Sequence, residues 1–302
     1  MTDRLASSAP TMPAGIEILQ PADLESIRIP WDARYSRGDV EEIVGREPSL
    51  SLWNRRTGGY LLGGAWRHRA EIVNVIDING PSVAVELLRA FVARATELKF
   101  KLAIVAEYSE RRRESFYDTA ALVPIEDIVV YELGRLPNLE NVESLRNGFE
   151  IERVDLSDHR QRRELLWLDH RAFPWLWWNS PGEFENYASV PGVEIVLVRF
   201  RDGVPLGYFG TTSLGSWGHL DRIAVDPDQQ GHGFGRRLLK LSIERLGAAG
   251  ARRIALSTQA SNTVSRALYE SIGFRRSRAH DYRIYGRSLN SATPLDEETQ
   301  EL

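Results

Sequence analysis

Glycine recurs at alternate positions 231, 233 and 235, inside the stretch Leu220-Asp-Arg-Ile-Ala-Val-Asp-Pro-Asp-Gln-Gln-Gly-His-Gly-Phe-Gly-Arg-Arg-Leu-Leu239. The order reads as strand, Pro-containing turn, glycine loop and helix. Glycine permits positive φ and lets backbone approach a ligand closely. At a helix start, free N–H groups and the positive dipole end converge on one point. That chemistry suits a phosphate or pyrophosphate. A P-loop string is absent. The dinucleotide fingerprint fails in both possible frames, because Arg236 or Leu238 stands where its third glycine belongs.

A second group of residues lies downstream, in Asn262-Thr-Val-Ser-Arg-Ala-Leu-Tyr-Glu-Ser-Ile-Gly-Phe274. Asn262 is a good helix N-cap. Tyr269 follows it by seven residues, about two helical turns, so both face the same side. Upstream, His219 and Asp221 alternate onto one face of a strand. Either can serve as a base, or as an exposed or ion-paired strand residue. Trp175, Trp177 and Trp178 crowd another segment and can form an aromatic wall or pack between the halves.

Gln230-Gly-His-Gly-Phe-Gly235 resembles the Q/R-x-x-G-x-G/A signature of the GNAT superfamily of N-acetyltransferases. Ile223-Ala-Val-Asp-Pro227 is similar to that family's fourth strand and exit turn. Asn262 to Phe274 resembles its N-x-x-A-x-x-L-Y-E-x-x-G-F motif, with Ser265 at the usual Ala. His170-Arg-Ala-Phe-Pro-Trp175 resembles a string of the N-terminal-amine acetyltransferases. The resemblance covers residues 148–287.

It implies acetyl-CoA as cosubstrate, with no metal. The pyrophosphate would lie on the loop amides at Gly231, His232, Gly233, Phe234, Gly235 and Arg236, after Gln230. The pantetheine would lie beside the strand backbone at Ile223, Ala224 and Val225, like an added strand. Asn262 would contact the coenzyme or simply cap its helix. Tyr269 would protonate the leaving thiolate, while His219 or Asp221 would deprotonate the amine. Ser257 departs from the N-terminal-amine acetyltransferases, which carry glutamate at that place. The Trp segment would line the acceptor side, favouring an apolar or cationic substrate.

Elements must hold these residues in place. The span from Phe234 to Leu246 carries Leu239, Ile243 and Leu246 on one face, a helical period. Strands are expected at 194–198, 206–210, 219–225 and 253–256, a helix over 263–271, and a final strand near Tyr282–Tyr285. The first half shows a similar order: strands at 15–19, 59–63, 71–76 and 101–106, a helix over 82–98, another from Arg111 to Ala120, and a closing strand at 128–133. This reads as a diverged internal duplication. In place of the glycine loop the first half has Asp77-Ile-Asn-Gly-Pro-Ser82, with one glycine and a proline that removes a donor. Glu110 stands where Asn262 stands in the second half, and its charge would repel a phosphate. The expected fold class is therefore α/β, with mixed sheets, as two tandem acyl-CoA N-acyltransferase (GNAT) folds. Residues 1–14 read as disordered, 15–136 as a degenerate first domain, 137–147 as linker, 148–287 as the catalytic domain and 288–302 as a flexible acidic tail.

Composition narrows the rest. The 302 residues carry 38 basic and 42 acidic side chains, a net charge of −4 without the basic excess of a nucleic-acid binder. No apolar run reaches the roughly 20 residues of a membrane span, and no secretory leader is visible, so a cytoplasmic protein is expected. There is no cysteine, which excludes disulfides, thiolate metal sites and a Cys nucleophile, and suits direct acetyl transfer. The expected function is acetyl transfer from acetyl-CoA to an amine, on a small molecule or a peptide N-terminus. Its rivals are a non-catalytic acyl-CoA-binding module and a mycothiol-synthase-like enzyme.

Overall fold

The computed structural model describes residues 12–31, 33–108, 113–137 and 147–290. The expectations for the chain's two ends, for most of the linker and for Glu110 lie outside these residues. The chain divides into two compact units. Of the described residues, one unit holds those up to Ile125 together with Arg283 to Asn290, and the other holds Glu126–Tyr282.

The first unit contains β1 (Ile16–Ile18), α1 (Arg37–Arg46), β2 (Leu52–Asn54), β3 (Tyr60–Ala65), β4 (Ile72–Asn79), α2 (Ala84–Glu97), β5 (Leu102–Glu107) and α3 (Glu114–Asp118). The second contains most of β6 (Val123–Leu133), then β7 (Phe149–Arg153), α4 (His159–Ala172), α5 (Pro181–Ser189), β8 (Val193–Phe200), β9 (Pro205–Leu214), β10 (Trp217–Val225), α6 (Phe234–Ala248), β11 (Arg253–Gln259), α7 (Thr263–Ile272) and the short β12 (Arg275–Arg276). The last strand, β13, spans Tyr282–Ser288.

Each unit has one parallel pair, β4 with β5 and β10 with β11, in an otherwise antiparallel sheet. A parallel pair needs a long crossover, and the amphipathic helices supply it. In α2, Leu87, Leu88, Phe91 and Ala95 are buried at helical spacing. In α6, Leu238, Leu239, Leu241, Ile243 and Leu246 are buried against the second sheet. The strands of each unit follow one repeated order, as a duplication would give.

Chain order and sheet order part company at the closing strands. The strand expected to end the first half, within β6, pairs instead with β11, from Ile128 opposite Gln259 to Leu133 opposite Ile254. The strand expected to end the second half, β13, pairs with β5, from Arg283 opposite Glu107 to Ser288 opposite Leu102. Alternation of apolar and polar residues tells which face of a strand is buried, not which neighbour it takes. Val129, Tyr131 and Leu133 of β6 enter the core of the second unit. Tyr285 of β13 stacks on Tyr117 with ring centroids 4.1 Å apart. Of the helix expected over 111–120, residues 111 and 112 lie outside the described ones, and the described part is helical as α3.

Candidate active site

The parallel pair of the second unit splays partway along. β10 and β11 pair from Trp217 opposite Arg253 to Leu220 opposite Leu256, and no further. At that point β10 bulges against β9, between Leu220 and Arg222. A bulge bends its strand and turns side chains. Beyond it, Ile223, Ala224 and Val225 continue to pair with β9, opposite Phe209, Tyr208 and Gly207. Their other edge opens on a cavity of about 680 Å³.

The glycine loop forms one lip of this cavity. Asp226 starts the turn, accepting from Asp228 N–H at 3.2 Å. Arg171 at the end of α4 donates to Asp226 at 3.0 Å and to Asp228 at 2.8 Å. Gln230 Nε2 donates to the Val225 carbonyl at 3.1 Å and folds the loop back on the strand. Gly231 and Gly233 adopt φ of 80° and 82°. A Cβ at either would meet nothing within 4 Å, so the need for glycine there is conformational. Gly235 differs: its Cβ would sit 3.5 Å from Leu268, so the small residue keeps α6 close to α7.

Gly233 is the N-cap of α6 and supplies no side-chain cap. The first-turn amides of that helix are among the donors with no intrahelical acceptor. Asn262 does the opposite for α7, its side chain accepting from Ser265 N–H at 3.1 Å. Asn262 thus caps its helix and lines the cavity as well. An anion fits the uncapped end, and the strand edge that β11 leaves uncovered fits an amide-bearing chain.

Of the residues expected to hold coenzyme, Ile223, Ala224, Val225, Gln230, Gly231, Gly233, Gly235, Arg236 and Asn262 line the cavity. His232 and Phe234 do not. His232 is exposed, with Nδ1 3.3 Å from the Gln229 carbonyl. Phe234 anchors the loop from behind, edge-on to Phe149 and Phe200 at 5.8 and 5.5 Å.

Tyr269 reaches the cavity from α7 and is 5% exposed. Burial pushes its phenol up to about 12, and a hydrogen bond with Ser265 opposes that rise. The Ser that replaces the usual Ala thus touches the very group it precedes by one turn.

The proposed bases lie elsewhere. His219 Nδ1 is 2.7 Å from Asp221 Oδ1. Tyr187 and Thr212 both donate to Asp221 Oδ2, at 2.6 and 2.7 Å. Burial and the Asp221 charge push the Tyr187 phenol far up. Neither His219 nor Asp221 lines the cavity. Ser257 on β11 is exposed, opposite Val130 of β6.

Sequence reasoning missed a buried network behind the Trp segment. Asp169 of α4 is 0% exposed. It accepts from Tyr208 OH and from Arg222 Nη2, each at 2.5 Å, and from Asn179 N–H at 2.8 Å. Arg222 also donates to the Trp177 carbonyl at 3.0 Å, and its guanidinium lies 3.8 Å from the Phe173 ring centroid. A buried charge pair persists only when its remaining donors and acceptors are met, as here. The network holds residues 173–179, and Phe173 and Pro174 line the cavity. Trp178 stacks on His170 at 4.5 Å and donates to the Phe173 carbonyl at 2.8 Å. Trp177 donates from Nε1 to Glu126 Oε2 at 2.6 Å. Burial raises the Glu126 carboxyl above its ordinary range, with that hydrogen bond opposing. Glu126 also lines the cavity. No local motif marked it.

Residues 154–274 match the acetyltransferase (GNAT) family. The chain is 34% identical over 119 residues to the N-alpha-acetyltransferase RimI of Mycobacterium tuberculosis, a match spanning 37% of this chain and 70% of that one. The chain belongs to the GNAT family of acetyltransferases. It is also 35% identical over 104 residues to the [ribosomal protein bS18]-alanine N-acetyltransferase of Escherichia coli, spanning 34% of this chain and 66% of that relative's length. A mycothiol acetyltransferase of Kocuria rhizophila is 42% identical over 124 residues, 41% of this chain and 36% of its own. A solved tandem GNAT protein from the clavulanic acid biosynthesis pathway shares the fold of this GNAT chain. It superposes over 92% of this chain and 99% of its own, with a TM-score of 0.59 and 13% identity. Among the described residues no helix is long and apolar enough to cross a membrane.

Proposed function

We propose that the second unit transfers an acetyl group from acetyl-CoA directly to a primary amine. One observation carries this reading: the uncapped glycine loop, the edge at Ile223–Val225 that no neighbouring strand covers, and Tyr269 all open on a single cavity. The loop amides and Arg236 would receive the pyrophosphate. The strand edge would pair with the pantetheine amides and lay the thioester beside Tyr269. Tyr269, neutral across the physiological range, can donate to sulfur as the C–S bond breaks. Phe173 and Pro174 supply an apolar wall on the acceptor side. Relatives are named for acetylating the alanine of a ribosomal protein and for mycothiol acetylation, so the acceptor is sought among peptide N-termini and small-molecule amines.

The test is acetyl-CoA-dependent release of thiol in the presence of an amine panel, with mass spectrometry of the products. Acetylated product from one or more amines is the expected result. Coenzyme binding without any product would convert the assignment to a non-catalytic acyl-CoA-binding module.

A further inference from the structure

Three titratable side chains line the cavity among the described residues: Arg236, Tyr269 and Glu126. The acetyl-transfer reading uses the first two. Glu126 is the one carboxylate, and it comes from β6, well before any of the motifs in the sequence.

Its placement follows from strand register. Ile128 of β6 is opposite Gln259 of β11, and Ala260 N–H donates to the Asp127 carbonyl at 2.7 Å. Side chains alternate along a strand, so Glu126 shares a face with Ile128 and Gln259. Val129 and Tyr131 take the other face, in the core that contains Tyr269, whose ring is 6.2 Å from that of Tyr131. Glu126 and Tyr269 therefore reach the cavity from opposite faces of the sheet. Direct transfer needs that arrangement, because the amine enters on one side of the thioester carbon and the sulfur departs on another.

We propose that Glu126 is the catalytic base that receives the acceptor's ammonium group and takes its proton. This rests on the acetyl-transfer reading and adds the residue that reading lacks. The Glu126 carboxylate accepts one proton from R–NH₃⁺. The freed nitrogen lone pair then forms a bond to the thioester carbon, and collapse of the adduct breaks the C–S bond. Sulfur takes the Tyr269 phenol proton. The excess proton on the new amide nitrogen returns to the phenolate, and the Glu126 proton leaves to solvent. Ammonium and acetyl-CoA thus become N-acetyl amide, CoA thiol and one proton.

The surroundings suit a base. Asp127, next to it on its own strand, acts on Glu126 through its charge, and Arg236 and Tyr269 line the same cavity. Burial raises the carboxyl first, Asp127 adds to that, and Trp177 opposes it. A base nearer neutrality is a better acceptor at physiological pH. Trp177, itself 8% exposed and held through its carbonyl by Arg222, fixes the carboxylate's direction, which makes it a positioning residue.

The experiment uses the full chain with acetyl-CoA and a mixture of free-amine tripeptides, one for each N-terminal residue, plus benzylamine. Wild type, Glu126→Gln and Trp177→Phe are compared by product mass, pH profile and coenzyme titration. Glu126→Gln should lower kcat/KM by roughly 10²–10⁴-fold and abolish the acidic limb, with coenzyme affinity nearly unchanged. Trp177→Phe removes a hydrogen bond that lowers the carboxyl's pKa, so its acidic limb should move to higher pH. Should Glu126→Gln not fold, that limb shift decides alone. Normal rate and limb in Glu126→Gln, or an unmoved limb in Trp177→Phe, would overturn the role of Glu126 while leaving acetyl transfer intact. No product from wild type with any amine would instead remove the acetyl-transfer reading beneath it.

Discussion

Tyr269 shows how environment selects a role for one side chain. Burial holds its phenol near 12, so it stays protonated throughout the working range and can give up its proton but not take one. Tyr269→Phe removes the hydroxyl and little else, since the ring packs with Tyr131 and Phe274. Turnover should fall by roughly 10²–10⁴-fold, the usual worth of a general acid, with acetyl-CoA affinity nearly constant. Steady-state kinetics beside a coenzyme titration measures both. A rate within about threefold of wild type would make Tyr269 a packing residue. Because the phenol's pKa is raised, its proton is lost only above the ordinary tyrosine value of about 10. An alkaline fall in kcat/KM beginning near neutrality would therefore not belong to Tyr269.

At the scale of elements, the loop and α7 were legible because their chemistry is local. Gly231, Gly233 and Gly235 announce a helix start without a side-chain cap, and Asn262 announces one with it. Gly233→Ala tests the loop. Nothing obstructs the added methyl, but at φ of 82° an L-residue is strained by about 1–2 kcal/mol. Relief of that strain would swing the first amides of α6, so acetyl-CoA should bind about tenfold more weakly by calorimetry with the fold intact. An unchanged dissociation constant would count against the amides as the phosphate cradle. The first unit repeats the splay: β4 and β5 pair from Ile72 opposite Leu102 to Val75 opposite Val105 and then stop. Its cavity there is about 160 Å³, and Tyr117, which donates to the Glu107 carboxylate, lines it. Two carboxylates, Asp77 and Glu107, line this small cleft against one cation, Arg34, which makes it a poor host for a polyphosphate. We expect one acetyl-CoA per chain by calorimetry; two comparable sites would contradict this account of the first unit.

Over the whole chain, the sequence conceals which half supplies each closing strand, and with it Glu126. A strand's apolar period says that Val129, Tyr131 and Leu133 are buried, not that β11 is their neighbour. The same gap hid Arg222 and Asp169, whose partners are separated from them by the length of several elements. This has a consequence for cutting the protein. A fragment of residues 148–302 follows the boundary suggested by the motifs and contains both of them. It lacks β6, so β11 has one side unpaired and the core loses Val129, Tyr131 and Leu133. Burying each such side chain is worth about 1.5–3 kcal/mol. Three together approach the whole stability of an ordinary domain, about 5–15 kcal/mol. The bare strand edge also invites aggregation. That fragment should be insoluble or show no cooperative thermal transition, whereas a fragment starting at residue 120 should fold and bind acetyl-CoA. Adding a synthetic peptide of residues 121–136 to the shorter fragment during refolding should restore part of that binding. The same peptide with Tyr131→Asp places a charge in the core and should restore none. A shorter fragment that melts cooperatively and binds coenzyme without the peptide would show that β6 is dispensable to the second unit.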